Sequence, residues 1–434
     1  MDVTVIGTGY VGLIQGLCLA DVGHQVICVD IDEAKIQALN RGVSPIYEPG
    51  IDELIAKTTV SGRLRFADTA NGLGTLLGDV VFVAVGTPMA VNGAADLSYV
   101  RAAIEQIADS ADHDLIVVMK STVPPGTGRA LASRFLASTS VKLGYVSNPE
   151  FLREGRAIED WYKADRIVLG SDDADALRTV ANLYGSIDAP LVATDVASAE
   201  TIKYASNAFL ATKISFINEM ANVSDCVGAN IDDVSRGVGL DSRIGPQFLR
   251  AGIGYGGSCF PKDVRALDFI SAIHGYHFEL LKAVIEVNSR QRLLPLIALS
   301  REFGTLADRT VAVLGLSFKP ETDDVRDSPA LDIIPILLEE GAEVRVYDPL
   351  AVRAPLGRAV RTEDVWTALD GAGAAVVVTE WSELIGLDWA RVAGMMSEPK
   401  VIYDGRNALD ADAVRAAGLK YMAVGRDGVH RDRL

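Results

Sequence analysis

Residues 3–30 read VTVIGTGYVGLIQGLCLADVGHQVICVD, and this stretch decides the fold. An apolar, β-branched run (Val3–Ile6) meets Gly7-Thr8-Gly9-Tyr10-Val11-Gly12, then a helical stretch (Leu13–Val22), then a second apolar run ending in Asp30. Strand, G-x-G-x-x-G turn, helix and acid-terminated strand together form the signature of a dinucleotide-binding βαβ unit. Gly7 allows the tight strand-to-helix turn, Gly9 the approach of a pyrophosphate, and Gly12 close helix–strand packing. The anion then lies against a helix N-terminus, where unpaired N–H groups and the dipole favour negative charge. Asp30 is placed to bind a ribose diol and would repel a 2′-phosphate, so the expected cofactor is NAD rather than NADP.

Outward from this unit, apolar runs alternate with helical patterns. Strands are expected at Val80–Val85, Leu115–Met119, Gly144–Ser147 and Arg166–Leu169, with amphipathic helices at Asp32–Arg41 and Tyr99–Ala108. The alternation predicts a parallel sheet covered on both faces. Residues 197–227 then form a long stretch without Gly or Pro whose apolar residues recur at three and four, which predicts one long helix. More helices fill the chain to about Phe303. Alternation resumes at Thr310–Leu316, Glu343–Asp348, Ala374–Thr379 and Val401–Asp404. The expected fold is α/β: two Rossmann-like doubly wound parallel-sheet domains (1–195 and 304–434) joined by a central helical segment (196–303).

A chain of 434 residues with 49% apolar and 23% charged residues suits two or three globular domains. A net charge of −17 disfavours nucleic acid and anionic membranes as partners, so an anionic ligand needs a local basic cluster. No stretch approaches the ~20 apolar residues of a membrane-spanning helix, and residues 1–12 lack the pattern of a signal peptide. The four cysteines have no paired spacing, which predicts reduced thiols and a soluble cytoplasmic protein. Cys18, Cys28 and Cys226 read as buried packing residues.

Gly252–Asp263, GIGYGGSCFPKD, is the most informative segment for chemistry. Its glycines allow a backbone that wraps a ligand, and Pro261 suits the first turn of a helix. Cys259 would then precede a helix N-terminus with Lys262 close by, two features that stabilise a thiolate. The alternative is a small residue packed in a loop. Lys203 and Asn207 lie at i and i+4 on the long helix. There they are either solvated surface groups or an amine and an amide pointing together into a cleft. Glu150, in Asn148-Pro149-Glu150-Phe151-Leu152, reads as a general acid/base or as a surface acid. Gly86-Thr87-Pro88 and Ser121-Thr122-Val123-Pro124 follow sheet strands, where such folds bind ligands, and each is otherwise a plain turn built on Pro and Gly. The five histidines (His24, His113, His274, His277, His430) are scattered, so no metal is expected.

Taken together, GTGYVG, VGTP, KSTVPPGT, NPEFLREG, the Lys203-x-x-x-Asn207 helix, DSRIGPQFL, GYGGSCFPKD, GLSFKPETDDVRDSP and YDGRN resemble, in order, the UDP-glucose 6-dehydrogenase family of nucleotide-sugar dehydrogenases. The resemblance implies four-electron oxidation of the UDP-glucose C6 alcohol to UDP-glucuronate with two NAD⁺. It implies Cys259 as the nucleophile, forming a thiohemiacetal and then a thioester. Lys203, Asn207 and Asp263 correspond to groups that hold the reacting oxygen and a water, and Thr122 and Glu150 to the remaining active-site polar positions, with Glu150 a candidate to activate water. On the cofactor side it implies Gly7, Gly9, Tyr10, Val11, Gly12, Asp30, Lys35, Thr87, Pro88, Ser121, Glu154, Lys262 and Arg326. On the sugar-nucleotide side, besides Glu150, Lys203 and Asn207, it implies Phe151, Leu152, Arg243, Phe248, Gly254, Tyr255, Gly256, Gly257, Phe318, Lys319 and Arg406. Lys319, Arg406 and Arg243 would be the local basic cluster for a diphosphate. It also implies a homodimer built on the long helix, residues 196–303 carrying the catalytic loop and residues 304–434 binding the UDP-sugar.

Three alternatives stand beside this reading. GDP-mannose or a UDP-N-acetyl-hexosamine would undergo the same chemistry. A two-electron β-hydroxyacid-type dehydrogenase would not need Cys259. A non-catalytic NAD-binding protein would need none of Cys259, Lys203, Asn207 and Asp263.

Overall fold

The computed structural model describes residues 1–69, 72–137 and 139–426. His430 lies outside the described residues. The chain divides into two compact units, Met1–Ser206 and Asn207–Leu434.

The first unit is built on eight strands: β1 (Asp2–Ile6), β2 (Gln25–Asp30), β3 (Leu64–Asp68), β4 (Val80–Val83), β5 (Leu115–Met119), β6 (Leu143–Ser147), β7 (Ile167–Gly170) and β8 (Leu191–Thr194). Their order is β3-β2-β1-β4-β5-β6-β7-β8. The run from β3 to β6 is parallel, as is the β7–β8 pair. The β6–β7 pair is antiparallel, through Ser147 and Gly170, so the sheet is mixed rather than purely parallel as expected. The central strands are apolar on both sides because both faces are covered. Val3, Val5, Val80 and Phe82 share a core with Leu13 and Leu17 of the helix Tyr10–Asp21. Val81 and Val83 point the other way, to Val100, Ile104 and Ile107 of the helix Ser98–Ser110.

The second unit begins within the long helix, which spans Val196–Val227. Helices Ile231–Gly239, Phe260–Ile273, Glu279–Gln291 and Leu294–Phe303 follow. Next come β9 (Thr310–Leu314), β10 (Glu343–Tyr347), β11 (Val360–Arg361), β12 (Ala374–Val377), β13 (Val401–Asp404) and β14 (Lys420–Ala423). Their order is β11-β10-β9-β12-β13-β14, and every pair is parallel. One face packs on Ile333, Ile334 and Leu337 of the helix Pro329–Glu339, the other on Trp389, Val392 and Val414.

Each sheet reverses its strand order beside its first strand, between β1 and β4 and between β9 and β12. Open α/β sheets bind ligands at such switch points, at the carboxyl ends of the strands. Gly7 (φ 99°) and Gly315 (φ 93°) make the turns there, in backbone that only glycine adopts without strain. A Cβ on Gly7 would sit 2.6 Å from the Ala84 carbonyl oxygen.

Cys18 and Cys28 are buried, but Cys226 is exposed, against expectation. It lies on the outward face of the long helix with Val223 and Val227, a face left uncovered by the described residues.

Candidate active site

In the first unit, the helix Tyr10–Asp21 begins at Gly9, where a Cβ would meet nothing within 4 Å. The space in front of this helix N-terminus is therefore open, as a bound phosphate requires. Asp30 accepts hydrogen bonds from the Thr8 backbone N–H and hydroxyl, both 2.8 Å, and from the Asp32 N–H at 3.0 Å. Lys35 Nζ lies 3.6 Å from its Oδ2. Burial raises the Asp30 pKa, but these donors and the Lys35 charge outweigh it and hold the carboxyl below its ordinary value. The residues thus fit NAD: an open helix N-terminus and an ionised carboxylate at the end of β2. The Tyr10 hydroxyl bonds Glu48 and accepts from the Gly155 N–H at 2.7 Å, tying the glycine-rich turn to the segment that carries Glu154. Ser121 Oγ donates to the Val85 carbonyl at 2.7 Å, joining the two loops that carry Thr122 and Thr87-Pro88.

Glu150 and Lys203 are both buried and form an ion pair of 2.9 Å. The second Glu150 oxygen accepts the Leu152 N–H at 2.6 Å. Burial pushes the Glu150 carboxyl up, and the Lys203 charge and hydrogen bond more than reverse this, so its pKa lies below the ordinary range. The surface readings of both residues are therefore excluded. The Phe151 ring lies beneath the Arg166 guanidinium at 3.7 Å and within 5.4 Å of Lys203 Nζ.

In the second unit, Cys259 is the N-cap residue of the helix Phe260–Ile273, with Pro261 in its first turn. This is the position where helix dipole and unpaired N–H groups favour a thiolate. Its carbonyl accepts the Asp263 N–H at 2.8 Å. The buried Asp263 carboxylate accepts Asn207 Nδ2 at 2.6 Å and pairs with Lys262 through its other oxygen. The Lys262 ammonium is thus directed to Asp263.

The glycine-rich loop ahead of Cys259 is fixed by neighbours on all sides. The Asn288 side chain exchanges two hydrogen bonds with the Tyr255 backbone (2.8 and 3.1 Å), and Arg292 donates to the Tyr255 carbonyl at 2.6 Å. The Gly257 N–H donates to the Arg326 carbonyl at 2.8 Å. Arg406 donates to the carbonyls of Gly254 (2.8 Å), Phe318 (3.0 Å) and Val378 (2.6 Å). It therefore binds two of the expected sugar-nucleotide segments together, with most of its donors spent on backbone. Lys319 Nζ lies 5.6 Å from the Phe318 ring centre. Arg243, with its side chain 87% exposed, pairs with Asp241. Phe248 adopts φ 64°, a left-handed conformation costly for an aromatic residue, and packs its ring against Phe260.

Profiles of the UDP-glucose/GDP-mannose dehydrogenase family match the chain three times: the NAD binding domain over residues 1–188, the central domain over 197–290 and the UDP binding domain over 312–411. The chain belongs to the UDP-glucose/GDP-mannose dehydrogenase family. It is accordingly an NAD-dependent oxidoreductase. A UDP-glucose 6-dehydrogenase of Bacillus subtilis is 46% identical over 98% of this chain and 94% of the relative. That of Rhizobium meliloti is 46% identical over 98% of this chain and all of the relative. Among solved structures, a UDP-glucose dehydrogenase from Pyrobaculum islandicum matches with a TM-score of 0.91 at 40% identity, covering 98% of each chain.

Several residues that hold this family's motifs in place escaped the sequence reading. Glu200 accepts the N–H groups of Gly126 (2.6 Å) and Gly128 (2.7 Å), anchoring the loop after Thr122, and burial pushes its carboxyl up to about 7. Asn288 and Arg292 sit beyond the motifs, in a region with an ordinary amphipathic pattern. The one available signal was an acid or amide at a position the helical period predicts to be buried. Among the described residues no group of three His, Cys, Asp or Glu side chains is arranged to hold a metal. None of their helices is long and apolar enough to cross a membrane.

Proposed function

We propose that this protein oxidises UDP-glucose at C6 to UDP-glucuronate, consuming two NAD⁺ and one water. The observation that carries the reading is Cys259 at a helix N-cap with Asp263, one turn on, holding the Asn207 amide. NAD⁺, held by the first-unit residues named above, would supply the hydride acceptor for each of the two oxidations. The aldehyde keeps one C–H hydrogen, but hydride does not leave a bare carbonyl carbon, whereas thiolate addition makes that carbon tetrahedral with an oxyanion that can expel the hydride. Cys259 Sγ forms that C–S bond. The Lys203 ammonium and the Asn207 amide suit stabilisation of the oxyanion, the contribution that usually dominates such sites. Loss of the second hydride leaves a thioester. Glu150, ionised beside Lys203, is suited with Asp263 and Thr122 to orient and deprotonate the water that breaks the C–S bond, releasing carboxylate and regenerating the thiol.

We assign NAD to the first-unit residues named above and the UDP-sugar to Phe151, Leu152, Phe248, residues 254–257, Phe318, Lys319 and Arg406. The functional division is 1–195 for cofactor, 196–303 for the catalytic loop and dimerisation, and 304–434 for UDP-sugar. A homodimer is supported by Phe209, Phe216 and Val223, spaced seven apart on the long helix and 66%, 53% and 49% exposed. An apolar stripe at that spacing is the seam by which two helices associate. The exposed Arg243 would complete the partner's site. A mass of two chains in size-exclusion chromatography with light scattering is expected, and a monomer would remove this part. We further place the protein in the reducing cytoplasm, in keeping with cysteines that form no disulfide.

Cys259→Ser tests the mechanism. The variant should lose turnover by on the order of 10³-fold or more. It should also accumulate an ester whose intact mass shows an added UDP-glucuronyl group. Unchanged turnover would exclude the covalent route.

A further inference from the structure

Lys120 lies directly after β5 and belongs to none of the groups assigned above. Its side chain is buried, and its Nζ donates to Asn148 Oδ1 at 3.0 Å and reaches the Tyr184 hydroxyl at 3.5 Å. Tyr184 donates to the same Asn148 oxygen at 2.6 Å and accepts from Gln15 Nε2 at 3.0 Å, and Gln15 accepts from Trp161 Nε1 at 3.1 Å. Asn148 Nδ2 donates to the Val168 carbonyl at 2.9 Å, and its backbone N–H donates to the Met119 carbonyl at 2.9 Å. Asn148 is thus locked to β5, β7 and Tyr184, and Glu150 is two residues further along the same turn. The chain of donors is buried along its length, and each of its polar groups is costly to leave unmatched.

We propose that Lys120 is a positioning residue for Glu150: it fixes the Asn148–Glu150 turn through Asn148, and its charge sets the electrostatic balance of the buried Lys120, Glu150 and Lys203 group. This deepens the reading of Glu150 as the water-activating carboxylate and rests on it for its catalytic consequence. The charged and titratable groups facing the cluster are Glu150 on the turn after β6, Lys203 on the long helix and Tyr184 at the end of the helix Ala174–Leu183. Arg153, Asp160, Lys163, Asp165 and Arg166 line the same cavity, of about 100 Å³. Burial pushes the Lys120 amine down to about 7, opposed by Glu150 and reinforced by Lys203. Below neutral pH the extra positive charge therefore holds Glu150 ionised. Above it the amine sheds that charge and still donates to Asn148, leaving a balanced Lys203–Glu150 pair.

The test is the titration of the Glu150 carboxyl carbon, followed by ¹³C NMR on the full-length protein with labelled glutamate and assigned with Glu150→Gln. It needs no substrate. Lys120→Met and Lys120→Gln should each raise the Glu150 midpoint by ~1 pH unit, the effect of removing a nearby opposite charge. Lys120→Gln can keep the bond to Asn148 and guards against misfolding of the apolar variant. Lys120→Arg should restore the wild-type midpoint. With UDP-glucose, the acid limb of the kcat profile should move by the same amount, with the KM for NAD⁺ within twofold. A Glu150 midpoint unmoved by the loss of Lys120 would overturn the proposal. A midpoint moved in the Lys120 variants, together with a wild-type protein that leaves UDP-glucose unoxidised, would uphold the positioning role and overturn only the substrate assignment.

Discussion

The two sheets repeat one local design with opposite outcomes. In each, a glycine with positive φ ends the first strand, and an aspartate at the end of the second strand binds the turn that follows. Asp30 takes three hydrogen bonds, and a Cβ on Gly9 nearby would meet open space. Asp348 is saturated: one oxygen accepts Leu316 N–H (2.6 Å), Ser317 N–H (3.0 Å), Ser317 Oγ (3.1 Å) and Trp381 Nε1 (3.2 Å), and the other accepts Leu350 N–H (2.9 Å) and Ala351 N–H (2.8 Å). A carboxylate with six donors has no capacity for a ribose diol. On the proposed assignment, the same acid serves a ligand in one sheet and braces the scaffold in the other. A strand–turn–acid pattern therefore suits a dinucleotide site only where the carboxylate keeps lone pairs to offer.

If that contrast is right, exchanging the roles should fail in unequal ways. The largest effect is expected for Asp348→Ala, which orphans buried N–H groups and should cost about 3–5 kcal/mol of stability in denaturant unfolding. Asp348 also carries a sign. Burial raises its pKa, but the backbone donors outweigh this and hold it below the ordinary value. Its stabilisation is therefore complete above the unfolded pKa, ~3.9, and is lost as pH falls through the lower folded value, so the variant should show a flatter acid limb of stability. Gly315→Ala comes next, at about 2–4 kcal/mol, because its Cβ would collide with Thr379 in backbone that already strains an L-residue. Asp30→Ala should weaken NAD⁺ by about 1–3 kcal/mol in calorimetry, a smaller effect but one on binding. Gly9→Ala should change stability least, by under ~1 kcal/mol, while still weakening NAD⁺. Equal loss of NAD⁺ affinity from the Asp348 and Asp30 variants would dissolve the comparison.

The fold was largely legible because its central strands are buried on both faces and read as short apolar runs between turns. What was missed lies at the edges. β8 is mostly exposed, and β11 has only two residues, so neither carries a burial pattern. The antiparallel β6–β7 pair was hidden for another reason: strand direction is set by the path of the segment between them, not by composition. Of the site, the motif residues were legible and their supports were not. Lys120 was not singled out in the sequence, because its burial depends on Asn148 and Tyr184, which reach it only once the sheet has formed. Cys226 reads as core, yet lies on the face that the proposed dimer would cover.

The most direct test of the account is the yield of NADH from a limiting amount of UDP-glucose, read by absorbance. Two NADH per sugar is the predicted result, because capture on Cys259 makes the second oxidation obligatory. One NADH per sugar, with free aldehyde, would contradict the covalent route, and none would exclude UDP-glucose as the substrate.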